Sequence, residues 1–141
     1  MIIPEEYRSS LSWVGLLLVL VVVQWMIATV AKAKQPGAIP GLPPSDQSHA
    51  NFAFRAFRTH QNTLENLGIM LGGAFLAILA GANAFLLSWL LGIMVVCRVI
   101  HMILYYVIAT EVNPSPRSYF FIIGWLANVV LIVVAIFALF K

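Results

Sequence analysis

Arg55-Ala-Phe-Arg58-Thr-His60-Gln61-Asn62-Thr-Leu-Glu65-Asn66, followed without a break by the apolar residues 67–80, decides how this chain folds. No proline occurs between Pro44 and Pro114, so the polar and apolar parts can share one uninterrupted helix. Arg55, Arg58, Asn62 and Glu65 recur at spacings of three, four and three residues, which places them on one helical face. Arg98, His101 and Tyr105 form a second stripe, at spacings of three and four, inside a later apolar segment. Ionisable groups are costly in lipid. Such stripes therefore face protein or a watery cavity, and they mark candidate functional positions.

Composition sets the surroundings. The chain has 141 residues, about one domain's worth. It is 62% hydrophobic and 9% charged, with a mean hydropathy of +0.96. A soluble domain carries about 25% charged residues. The formal charge is +3, but the eight basic residues are scattered, which excludes the clustered basic face of a nucleic-acid binder. Cys97 is the single cysteine and cannot form an internal disulfide. The first apolar segment follows Glu5 and Glu6 rather than a basic stretch, and it is long; a retained span is expected rather than a cleavable signal peptide.

Four spans follow. Residues 11–31 are roughly 20 long, enough to cross a hydrocarbon core of about 30 Å, with Ser12, Gln24 and Thr29 as polar interruptions. Lys32 and Lys34 end that span, and the proline- and glycine-rich residues 35–45 form a loop. Ser45 or Asp46 is the expected N-cap of the second helix. Gly68, Gly72 and Gly73 would let a neighbouring helix approach closely. Residues 81–84 make a tight turn, and Pro114 ends the third span. Ser115-Pro116 opens the fourth as an N-cap with proline in the first turn. The expectation is one four-helix transmembrane domain over residues 1–141, with helices at about 9–33, 46–80, 84–111 and 115–140. Short connections make it an all-α, up-down-up-down bundle. Lys32, Lys34, Arg55, Arg58 and Arg117 gather at one end, partly offset by Arg8 and Lys141 at the other, so the first end is expected in the cytoplasm.

Each polar residue admits a plain and a functional role. Arg55 and Arg58 could snorkel to headgroups, or hold an anion in a guanidinium fork. Glu65 lies about 10 Å along the axis from Arg58, so a direct bond is not expected and Asn62 is the natural bridge. Glu65 could hold helices together, pair with Arg98, or receive a ligand amine. His60 lies off the stripe and reads as structural. His101 lacks the neighbouring ligands that a metal site needs, so no metal is expected. Tyr105 offers a hydroxyl to a ligand. Arg117 and Ser118 sit at a helix N-terminus, where free amides favour an anion such as a thiolate. Their plain roles are an interfacial anchor and a cap.

The run Arg-x-x-Arg-x-His-x-Asn-x-x-Glu-Asn, then Arg-x-x-His-x-x-x-Tyr and Pro-x-Arg-Ser, resembles the MAPEG family. These are the membrane-associated proteins of eicosanoid and glutathione metabolism. The resemblance spans essentially the whole chain. It implies a homotrimer in a bacterial inner membrane or an intracellular membrane, with glutathione as thiol co-substrate bound between subunits near the cytoplasmic face. Arg58, Asn62, Glu65, Arg98, His101 and Tyr105 fall on cofactor-binding or neighbouring polar positions, and Arg117 and Ser118 on the pair assigned to the thiolate. Gln61 and Phe121 depart from the arginine and tyrosine of the family's prostaglandin E synthase branch. The implied activity is a glutathione-dependent transferase or peroxidase acting on hydrophobic electrophiles or lipid hydroperoxides. A noncatalytic lipid-binding or scaffold protein of the same family is the alternative.

Overall fold

Four long helices account for most of the chain in a computed structural model that describes residues 4–140. Lys141 lies outside the described residues. A 3-10 turn, Glu5–Tyr7, leads into α1, Arg8–Ala33; α2 is Phe52–Leu79, α3 Ala84–Val107 and α4 Pro116–Ala138. All four are long and apolar enough to cross a membrane. α1 and α4 each pack against both α2 and α3, and α2 also meets α3.

Two polar ties fix the direction of the helices. The Tyr7 hydroxyl donates to the carbonyl of Ala82 across 2.6 Å, joining the start of α1 to the α2–α3 turn. At the opposite end His49, in the α1–α2 connection, bonds Glu111 in the α3–α4 connection. The helices therefore alternate up and down. The α2–α3 turn is tight because Gly81 adopts φ +67. That left-handed residue lets Ala82 N–H reach Ala77 O at 2.9 Å and Gly81 N–H reach Ile78 O at 3.1 Å. This pair is the Schellman closure of a helix C-terminus.

The interior is small and apolar. Leu17, Met70, Leu87, Leu91, Met94 and Leu131 are almost wholly buried, with Ala74, Ala77 and Ala135 between them. Leu16, Val19, Val22, Trp25 and Met26 of α1 face outward, as do Ile122, Trp125, Leu126 and Val130 of α4. Helices apolar on the outside suit lipid, where association rests on close packing rather than on water exclusion. Thr59 and Thr63 sit in the buried face of α2 by donating to the carbonyls of Arg55 and Thr59, at 2.8 and 3.2 Å.

Several helix limits differ from expectation. α2 starts at Phe52, not near 46, and its N-cap is Asn51, whose Oδ1 accepts from Ala53 N–H at 3.0 Å. Asp46 instead accepts from Ser48 N–H at 2.9 Å within the loop. Gln35 and the Asp46 carbonyl hold the Asn51 amide in place, at 2.7 and 2.8 Å. α3 stops at Val107 rather than near 111, because Glu111 is drawn to His49 and Arg55 takes the carbonyl of Tyr106. Of the three α2 glycines, only Gly73 meets a neighbour; nothing lies within 4 Å of a Cβ built at Gly68 or Gly72. Gly92 against Trp13 and Gly124 against Cys97 are the other close approaches.

Candidate functional site: an arginine-rich cavity

Register along α2, α3 and α4 brings six of the eight candidate residues to one cavity of about 360 Å³. Arg58 and Asn62 come from α2, His101 and Tyr105 from α3, and Arg117 and Ser118 from α4, with Phe121 and Ile122 completing the wall. The cavity lies at the end of the bundle that carries the two longer connections. A larger, mostly apolar cavity of about 810 Å³ opens beside Trp13 and Trp89 and, among the described residues, is lined by no cationic side chain. With Glu6 as the charged residue of its lining, it offers no counter-charge to an anionic ligand.

Arg98 lies one layer behind. Its Nη1 donates to Asn62 Oδ1 at 2.5 Å, and its guanidinium sits 5.1 Å from the Phe121 ring centroid. Arg98 is 2% exposed, and its Nε has no partner among the described residues. Glu65 does not pair with it. Instead Arg58 Nη1 reaches Glu65 Oε1 directly, at 3.5 Å, where Asn62 was the expected bridge. Two long side chains stretched along the axis span the two turns, leaving the Asn62 amide to α3.

Arg117 lies over the Tyr105 ring, its guanidinium carbon 4.0 Å from the ring centroid. A cation on an aromatic face is held without its donors being used. Its Nη1 is buried and unpartnered among the described residues. Ser118 is partly committed to the helix start: its Oγ accepts from Ser115 N–H at 3.3 Å and lies 3.1 Å from Ser115 Oγ. A hydroxyl has two lone pairs and one proton, so Ser118 can still donate into the cavity if Ser115 supplies the second bond. His101 meets Tyr105 edge-on and tilts against Phe121. Among the described residues no three His, Cys, Asp or Glu side chains gather as a metal site requires.

Arg55 is neither snorkelling nor facing the cavity. It donates from Nη1 to the carbonyls of His49 and Ala50, at 2.6 and 2.9 Å, and from Nη2 to Tyr106 O at 3.2 Å. It ties the loop before α2 to the negative end of α3.

Sequence reasoning missed His49 and Glu111. Both lie in connections, and no helical period marks them. His49 Nδ1 is 2.9 Å from Glu111 Oε2, its backbone N–H donates to Glu111 Oε1 at 2.9 Å, and its Nε2 is 2.9 Å from the Tyr105 hydroxyl. The two rings stack at 5.7 Å. The His49 backbone N–H, then its ring, hold the Glu111 carboxyl below the ordinary carboxylate range. An ionised carboxylate only accepts, so His49 Nδ1 carries a proton. In the neutral ring Nε2 is then a bare acceptor, and Tyr105 donates to it.

Fold and site together define a multi-pass integral membrane protein with a cationic cavity near one end of a four-helix bundle. Residues 10–137 match the model of the MAPEG family, and the chain belongs to that family. No curated protein and no solved structure gave a match.

Proposed function

We propose that this protein is a glutathione-dependent transferase or peroxidase of hydrophobic electrophiles or lipid hydroperoxides. The carrying observation is the convergence of Arg58, Arg117 and, through Asn62, Arg98 on one cavity, with a buried Arg117 N–H left unused. Among the described residues the one carboxylate bonded to those three, Glu65, sits half-exposed beside Arg58. Surplus fixed cations fit a ligand with two carboxylates, and Glu65 suits its amine. Glutathione fits that donor set and, when bound, supplies the attacking sulfur. Arg117 and Ser118 are then the groups that stabilise its thiolate, while Arg58, Asn62, Glu65, Arg98, His101 and Tyr105 bind and orient it. Phe121 and Ile122 border the lipid-facing side, where an apolar co-substrate enters from the bilayer.

The assembled form is a homotrimer in this reading. Glu65, Gly68 and Gly72 lie on one exposed face of α2, where the glycines meet no atom and the carboxylate needs a setting other than lipid. The cavity end faces the cytoplasm, in line with Lys32, Lys34, Arg55, Arg58 and Arg117 there. Equilibrium binding of glutathione to the purified protein, read with ultraviolet thiolate absorbance, tests the proposal. Saturable binding with a thiolate signal is expected; none at millimolar thiol would sink it. Ser118 engaged by Ser115 favours the noncatalytic alternative. Binding without thiolate or turnover would select that reading.

A further inference from the structure

We propose that Glu111, His49 and Tyr105 form a proton relay serving the cavity, in which His49 and Glu111 act as positioning residues through the Tyr105 hydroxyl. The observation is a continuous carboxylate–imidazole–phenol chain, each link 2.9 Å, running from an exposed loop to a side chain of the cavity wall. The inference rests on the glutathione reading above and adds to it the route by which the thiol proton moves.

The groups facing the chain define its direction. Glu111, 71% exposed, accepts from His49 Nδ1, so Nε2 is free to take the Tyr105 proton. Arg55, on α2, holds the His49 carbonyl, and Arg117, on α4, lies on the Tyr105 ring. Arg58 shares the cavity with the Tyr105 edge. These three cations oppose a further positive charge on His49, and Glu111 is the carboxylate that offsets it when His49 is charged. A phenol that donates to His49 keeps lone pairs with which to accept a thiol S–H.

The step balances. The thiol S–H bond breaks as Tyr105 oxygen takes that proton. The former Tyr105 O–H bond breaks as its proton passes to His49 Nε2. The sulfur keeps the electron pair as thiolate beside Arg117 and Ser118, and His49 becomes an imidazolium against the Glu111 carboxylate. When the thiolate attacks, the same proton returns through Tyr105 to the departing group. The arrangement uses one residue as base and then as acid.

Two variants test it. His49→Gln keeps both backbone bonds of that residue, and Glu111→Gln keeps an acceptor for the His49 N–H but loses the charge. Nitrogen NMR of the ligand-free protein should show neutral His49 with its proton on Nδ1. On mixing with glutathione, both variants should bind within about twofold of the unaltered protein but form thiolate about 100-fold more slowly, the scale of general acid–base catalysis. A proton on Nε2, or an unchanged rate in His49→Gln with normal binding, overturns the relay alone. Absence of glutathione binding to the unaltered protein overturns both the relay and the function on which it stands.

Discussion

Four of the five arginines, Arg55, Arg58, Arg98 and Arg117, do different work, because each has different partners. Arg55 spends its donors on three backbone carbonyls, so Arg55→Ala leaves those acceptors unmet. The expected loss is about 3 kcal/mol of stability, measured by thermal unfolding in detergent, with glutathione affinity little changed. Arg117 stacks on Tyr105 and keeps a donor in reserve. Arg117→Ala is expected to leave the melting temperature nearly unchanged and to lower thiolate-dependent turnover by about 100-fold, as for a lost oxyanion donor. Spacing alone shows that Arg58, Asn62 and Glu65 share a face. It does not show that the Asn62 amide turns to Arg98, because that bond depends on how α3 is seated against α2.

Helix contacts depend on a few positions where backbones come close. At Gly73 an added Cβ would lie 2.6 Å from Leu131 Cδ2, and Leu131 is fully buried with no room to withdraw. Gly73→Ala should cost about 1–3 kcal/mol through overpacking of α2 on α4, read as a lower midpoint in denaturant or heat. Gly68→Ala should leave the single protomer as stable as before, since open space surrounds it. Apolar runs and proline positions made the four spans legible in the sequence. The glycine contacts were not, since a period of 3.6 residues ranks faces without saying which face a partner takes. The α2 start was misplaced for a similar reason. Ser45 and Asp46 follow the prolines as a cap would, but the Asn51 amide is held by Gln35 and Asp46 from a folded loop that composition does not describe.

For the whole molecule, the cavity end is closed by a clasp between two connections, and that clasp depends on pH. The His49 backbone N–H and ring lower the pKa of Glu111 on folding. A lowered carboxyl pKa adds stability that is complete above the value in the unfolded chain and is lost as pH falls through the folded value. The stability difference between the unaltered protein and Glu111→Gln should therefore shrink in the acid range, as stepped-pH thermal melts would record. Residues at either end of this clasp are 62 positions apart in sequence, beyond the reach of any local pattern. The Arg55 tie carries a different consequence, one of timing. Before α3 is made, Arg55 has only the carbonyls of His49 and Ala50, in its own neighbourhood, to bind. Once Tyr106 arrives, the free end of the same guanidinium closes onto the end of α3, and Arg55 is buried. The loop before α2 can thus be tied locally before the bundle closes, and Arg55→Lys would keep the charge while losing the carbonyl fork.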